Sequence, residues 1–414
     1  MSSLRVPGDK SIAHRAIILA ALARGRSRLR GVPDGLDVQS TQRAMEALGA
    51  ALRSDGDGLV VEGCAGAFTA PRDAIDCGNS GTTMRLLTGL LATRPLTVKL
   101  TGDASLRARP MRRIAIPLAA FGAQITLTPE GKAPLTVRGN GAAPGVDVAV
   151  TIASAQVKAA LLLAALGAHG RTRVGGALAT RDHTERMLGI FGVKVEHDDA
   201  GRLVVEGPAV LHGAKVDVPG DISSAAFLFA AAAAVPGAAV VVDDVGLNPT
   251  RTAFLDVLRR FGADVDVQPG ARAVEPLGRV AVRGAVLRGV TIEPREIPGL
   301  IDELPLVGVL GAFAHGTTTV LGADELRVKE SDRIEAFADA ARALGAEVET
   351  FADGFSVRGP TRWRSGDVIT QHDHRIAMAF SVAAHAAGVR VQLDDPDCAA
   401  VSFPGFADAL RAVR

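Results

Sequence analysis

Six short polar runs in the 414-residue sequence carry the side chains best suited to chemistry. They are Asp9-Lys10-Ser11, Gly78-Asn79-Ser80-Gly81-Thr82, Ala153-Ser154-Ala155-Gln156, Gly220-Asp221-Ile222-Ser223-Ser224, Ile301-Asp302-Glu303-Leu304 and His372-Asp373-His374-Arg375. Each opens an apolar, mostly Ala- and Leu-rich stretch that reads as a buried helix. Ser, Asp and Asn at such starts accept bonds from unpaired N–H groups, worth about 1 kcal/mol each. Capping explains one start at a time, but not the cations that accompany them. Lys10, Arg15, Arg85 and Arg375 fall in or near first turns, where the helix dipole disfavours a cation by roughly 0.3–1 kcal/mol. An anion in front of those turns reverses the balance. N–H groups and dipole then bind phosphate or carboxylate, and arginine adds bidentate bonds.

Other chemistries fit less well. The first run looks like a nucleotide-binding P-loop, but Asp9 rather than Gly precedes Lys10, and Leu4 stands where the first Gly belongs. Cys64, Cys77 and Cys398 have neither disulfide nor zinc spacing. A net charge of +1, 4% aromatic residues and the absence of Tyr argue against nucleic-acid binding. The longest apolar run, near Ala225 to Val235, is well short of the roughly 20 residues of a membrane span. Met1-Ser2-Ser3-Leu4-Arg5 contains no apolar signal segment. A soluble, cytoplasmic protein is expected.

The elements that must position these runs repeat. The six apolar helices begin near Ser11, Ser80, Ser154, Ser223, Asp302 and Asp373, roughly 70 residues apart. A second helix follows in each of the first five copies and ends at Ala50, Ala123, Val193, Ala263 and Ala346, with a Gly just before that residue suited to a left-handed C-cap. Strands come next, joined by turns such as Asp55-Gly56-Asp57-Gly58 and Asp353-Gly354. Each unit is βαβαββ-like, and six units make two domains of three. Pro7-Gly8-Asp9-Lys10-Ser11 resembles Pro219-Gly220-Asp221-Ile222-Ser223. This places hinges near 8–10 and 219–222, one domain at 10–220 and the other at 1–9 with 221–414. Phe406 to Arg414 reads as a sixth second helix, with Leu4-Arg5-Val6 as a segment that completes its unit. A solenoid of stacked repeats is the alternative, and it requires helices with a solvated face.

Five islands, in this order, resemble the EPSP synthase (3-phosphoshikimate 1-carboxyvinyltransferase) family over essentially the whole chain. They are Pro7-Gly8-Asp9-Lys10-Ser11-Ile12-Ala13-His14-Arg15, Gly78-Asn79-Ser80-Gly81-Thr82-Thr83-Met84-Arg85, Arg109-Pro110-Met111, Arg327-Val328-Lys329-Glu330-Ser331-Asp332-Arg333, and Asp373-His374-Arg375-Ile376-Ala377-Met378. The resemblance implies an α/β fold of two domains, each of three repeated units in an inverted α/β barrel-like arrangement, the enolpyruvyl transferase fold. The active site would lie in the interdomain cleft. It implies transfer of the enolpyruvyl group of phosphoenolpyruvate (PEP) to the 5-hydroxyl of shikimate 3-phosphate with release of phosphate. That step belongs to the shikimate pathway, towards chorismate and the aromatic amino acids. Those two small molecules would be the partners of a monomer, with no metal, no organic cofactor, no nucleic acid and no membrane.

The resemblance also assigns residues. Lys10, Ser11 and Arg15 contact shikimate 3-phosphate, and Lys10 also reaches PEP. Gly81 brings its backbone against PEP, since a missing Cβ permits close approach. Arg109, extended before Pro110, clamps PEP. Ser154 and Gln156 hold the sugar phosphate; Ala155 replaces a serine found in many relatives. Asp302 accepts the proton of the sugar hydroxyl. Lys329 binds substrate, and Glu330 exchanges protons with the PEP methylene, with a salt bridge to Arg333 as its competing role. Arg333 and Arg375 bind the PEP carboxylate or phosphate. Roles for Lys158, Thr180, Arg181, Glu325 and His374 stay open.

Two departures stand out: Val401 occupies a position where some relatives carry Lys, and Glu325 one where some carry Asn. With two anionic substrates to gather, the free enzyme is expected to be open and to close on binding. Sensitivity to glyphosate, the PEP-site inhibitor associated with the family, is expected because Gly81 leaves room for it. Two rivals remain: enolpyruvyl transfer to a UDP-sugar, disfavoured because Leu106-Arg107-Ala108-Arg109-Pro110 lacks a reactive Cys, and a non-enzymatic repeat scaffold.

Overall fold

A computed structural model describes residues 3–56, 58–271 and 273–413. Asp57 of the first expected turn, and Met1 and Ser2, lie outside the described residues. The six expected apolar helices are α1 (Lys10–Leu22), α2 (Gly81–Ala92), α3 (Ala155–Ala165), α4 (Ile222–Ala233), α5 (Leu304–Phe313) and α6 (His374–Ala387). Side chains cap five of them: Asp9, Ser80, Ser154, Asp221 and Asp373 each accept a backbone N–H of the first turn. α5 is entered differently, through Glu303 and with Pro305 in its first turn, where a missing N–H costs nothing.

Burial is nearly complete along these helices. Every residue of α4 is buried, as is α1 from Ile12 to Leu22. A helix without a wet face cannot belong to an open solenoid. The second helices end as expected, with Gly49, Gly122, Gly192, Gly262 and Gly345 all at φ between 79° and 108°.

Among the described residues the strands form six small sheets. In one, Ile75–Asp76 runs parallel to Thr97–Thr101, which pairs antiparallel with Leu135–Arg138, itself antiparallel to Gln124–Thr126. The same order recurs around Gly170–Gly176 and around Gly316–Val320. The sheet of the first repeat takes its parallel strand from a distance, with Lys215–Asp217 lying beside Arg24–Arg30.

Leu4 does the equivalent in the fourth repeat. Its N–H donates to Val241 O (2.8 Å) and its carbonyl accepts from Asp243 N (2.9 Å). The N-terminal segment therefore joins the sheet of the fourth repeat and not the sixth, whose sheet is the two-stranded pair Gly366–Val368 and Val391–Leu393. The reason is closure. The extended segment that follows a third repeat satisfies the open edge of the first sheet in its own group, and Leu4 fills that place for repeats four to six.

The chain divides into two compact units, Gly8–Val218 and Met1–Pro7 with Pro219–Arg414. Each has its own apolar core, built on α1–α3 in the first and α4–α6 in the second. Helices approach closely where glycine allows it. A Cβ on Gly89 of α2 would lie 2.2 Å from the carbonyl oxygen of Ala160 in α3.

Candidate active site

The predicted site residues fall into two sets, one in each unit. In Gly8–Val218, side-chain bonds link the N-terminal parts of α1, α2 and α3, the first link passing through Thr41 of the helix Leu36–Ala47. His14 Nδ1 lies 2.6 Å from Thr41 Oγ1, which lies 2.6 Å from Thr83 Oγ1, and Thr83 donates to Ser80 Oγ (2.7 Å). Gln156 at the start of α3 bridges to α2, accepting from Arg85 Nη1 (2.7 Å) and donating to Thr82 Oγ1 (2.9 Å). Burial pushes the His14 imidazole down to about 3, so it is neutral at physiological pH.

The cations of this set lie near those N-terminal parts. Lys10 Nζ sits 2.9 Å from Asp37 Oδ2. Arg15 donates from Nε to Thr184 Oγ1 (2.7 Å) and from Nη1 to the carbonyl of Ser11 (2.8 Å). Arg109 donates to Asn79 Oδ1 (2.6 Å) and Ser105 Oγ (3.2 Å). Gly81 is where two guanidinium groups converge: a Cβ there would stand 2.6 Å from Arg85 Nη1 and 3.2 Å from Arg109 Nη1. Ser154 caps α3, accepting from Val157 N over 3.4 Å. Lys158 is an internal anchor, only 3% exposed. It is paired with Glu185 (2.6 Å) and donates to the carbonyls of Leu178 and Thr180 (3.3 Å each).

In the second unit a charged cluster joins the starts of α5 and α6 to the helix Arg333–Ala343. Arg333, 1% exposed, is ringed by carboxylates: Glu330 (2.5 Å), Asp373 (2.8 Å) and Asp302 (3.5 Å). Burial opposes its charge, but Asp373, Glu330 and Asp302 outweigh burial and hold it above the usual arginine range. Burial alone would raise Asp373; the Arg333 charge overcomes this and leaves it below the usual carboxylate range. Nη1 of Arg333 is buried without a hydrogen bond. Glu330 therefore does form the salt bridge that competes with a proton-transfer role. Lys329 is held below the usual lysine value by dehydration, against the opposing charges of Asp302 and Glu325. Glu325, where some relatives place Asn, thus contributes a charge to Lys329.

Arg375 donates from Nη1 to the carbonyl of Asp302 (2.9 Å), and its Nε lies 3.6 Å from Asp302 Oδ1. His374 begins α6 and is buried. Glu303, Asp373, Asp37 and Thr184 tie these side chains down; the sequence assigns Asp373 only a capping role and the others none. Glu303 and Asp373 sit inside the quoted motifs. Asp37 and Thr184 gave no signal, because their partners lie 27 and 169 residues away.

This fold is shared with enolpyruvyl transferases: that of Streptomyces tendae, NikO, matches with a TM-score of 0.80 over 100% of this chain and 95% of its own, at 20% identity. An EPSP synthase structure from Acinetobacter baumannii matches with a TM-score of 0.84 at 38% identity, over 99% of this chain and 95% of that one. A 3-phosphoshikimate 1-carboxyvinyltransferase from Anaeromyxobacter sp. (strain Fw109-5) is 49% identical over 407 residues, 98% of this chain and 94% of the relative. The family model for EPSP synthase (3-phosphoshikimate 1-carboxyvinyltransferase) matches residues 1–410. The chain belongs to the EPSP synthase family, a family of enzymes.

Proposed function

We propose that this chain transfers the enolpyruvyl group of PEP to the 5-hydroxyl of shikimate 3-phosphate, releasing phosphate. Family membership over residues 1–410 carries the reaction. The observation that supports the residue roles is the pair of clusters: Lys10, Arg15 and Arg109 in the first unit, and Arg333 and Arg375 in the second, each lie close to the start of a buried helix or beside one. Protein carboxylates offset part of that charge, and a bound anion offsets the remainder.

In this reading each unit supplies one set of groups. Lys10, Ser11, Arg15, Ser154 and Gln156 hold the phosphorylated acceptor. Gly81 and Arg109 receive PEP, with Lys10 shared. Arg333, through Nη1, and Arg375 neutralise the PEP anions, and Lys329 adds a third charge. Asp302 takes the proton of the acceptor hydroxyl while Glu330 delivers a proton to the PEP methylene carbon. The hydroxyl oxygen bonds to the central carbon of PEP, giving a tetrahedral intermediate. Proton return to Glu330 and cleavage of the C–O bond to phosphate restore the vinyl group on the acceptor. For that step Glu330 must exchange its Arg333 partner for the substrate carbon. The enzyme works as a cytoplasmic monomer.

Incubation with PEP and either shikimate 3-phosphate or a UDP-sugar, followed by phosphate assay, tests the reading. Release only with shikimate 3-phosphate is expected. Release only with the UDP-sugar, or with neither, overturns it.

A further inference from the structure

The second unit contains a buried polar array of which only Arg375 has a role in the proposed reaction. It runs from Arg251 through Ser223 and Glu303 to Arg375. Arg251 Nη2 donates to Ser223 Oγ (2.8 Å) and lies 3.3 Å from Asp221 Oδ1. Ser223 Oγ donates to Glu303 Oε1, and the same oxygen lies 3.9 Å from Arg375 Nη1. The Arg251, Glu303 and Arg375 side chains are 3%, 4% and 9% exposed. The direction of the bonds is fixed by chemistry. A guanidinium can only donate and a carboxylate only accept, so the Ser223 proton must point to Glu303.

The array joins the first turns of all three helices of the unit. Ser223 belongs to α4, Glu303 enters α5, and Arg375 lies in α6. Arg375 is held through Nη1 and Nε. Nη1 is bonded to the Asp302 carbonyl and faces Glu303, and Nε faces Asp302 Oδ1. The Arg375 residue as a whole is 8% exposed.

We propose that Glu303 is a positioning residue for Arg375. Oriented by Ser223, which Arg251 holds in turn, it fixes Nη1 inwards, so that Nη2 is presented to an anionic group of PEP. The inference rests on the reading of Arg375 as a PEP ligand.

The test is steady-state kinetics at a temperature well below unfolding, with melting temperatures measured alongside. Glu303→Gln keeps the size and an acceptor but loses the charge. It should raise the KM for PEP about tenfold and leave the KM for shikimate 3-phosphate within about twofold. Ser223→Ala should move the PEP value in the same direction, about threefold, and serves if Glu303→Gln does not fold. Arg375→Ala separates the two ideas. If it leaves the PEP KM unchanged, the ligand role of Arg375 is wrong. If it raises that KM while Glu303→Gln and Ser223→Ala only lower the melting temperature, Glu303 is structural and the proposal fails. In the Arg375→Ala background the Glu303→Gln effect on PEP should disappear; a fully additive effect contradicts the coupling.

Discussion

Nη1 of Arg375 donates to the backbone carbonyl of Asp302 over 2.9 Å, while the Asp302 carboxylate stands between Arg375 Nε at 3.6 Å and Arg333 Nη1 at 3.5 Å. Flanked by two guanidinium groups, the carboxylate is placed to accept a proton from a group brought against it. Asp302→Asn removes that capacity and keeps the shape. Turnover should fall by about 10²–10⁴, with shikimate 3-phosphate affinity changed much less. Stopped-flow turnover and calorimetric binding report the two quantities separately; an unchanged turnover removes Asp302 from the mechanism.

Gly81 lies where Arg85 and Arg109 converge, and in the proposed reading it sets how closely PEP approaches them. Alanine there would press on Arg85 Nη1 at 2.6 Å. That atom ends a flexible chain, so the fold survives, but its 2.7 Å bond to Gln156 is disturbed. Gly81→Ala should raise the KM for PEP several-fold and weaken glyphosate more than PEP. Inhibition curves at several PEP concentrations measure both. Equal weakening of the two would show that the inhibitor does not approach this glycine.

His14 makes stability depend on acid in a definable window. Burial lowers its pKa to about 3, against about 6.5 for an exposed histidine. Between those values the unfolded chain binds more protons than the folded one, so stability rises with pH across the window. It is lost progressively as pH falls through it, by at most about 1.4 kcal/mol per pH unit. His14→Asn deletes the titration. The stability gap between the native protein and the variant should therefore narrow from pH 7 to pH 4 in urea titrations. Parallel stability curves would mean that His14 is not dehydrated.

Gly89→Ala tests the packing that aligns α2 with α3. On an isolated helix the change is favourable by about 1 kcal/mol. Here the new methyl meets the backbone of Ala160 at 2.2 Å from its carbonyl oxygen and 2.5 Å from its Cα. Two helices must separate, which costs about 1–3 kcal/mol. A lower melting temperature is expected, and a higher one would contradict the close approach.

Helix starts were legible in the sequence because they are local. A capping residue followed by an apolar run identifies α1, α2, α3, α4 and α6 within a residue or two, and the Gly before each second-helix end identifies a left-handed cap. Partners were not legible. Asp37 for Lys10, Thr184 for Arg15 and Glu185 for Lys158 come from other elements, and no spacing rule predicts them. The placement of Leu4 beside Val242 failed for the same reason. The strands missing from the sixth copy suggested the last repeat, whereas the open edge it satisfies belongs to the fourth. Glu330 shows a different limit: its residue type permits a proton carrier or an ion pair, and only the 2.5 Å distance to Arg333 reveals the pair.

The central claim is that PEP reacts by proton addition and then elimination, on shikimate 3-phosphate. Proton NMR of the reaction run in D2O tests it most directly. The account predicts a new enolpyruvyl ether with deuterium in its vinyl methylene, formed in step with phosphate. Phosphate release without that ether, or an ether whose methylene carries no deuterium at all, would contradict it.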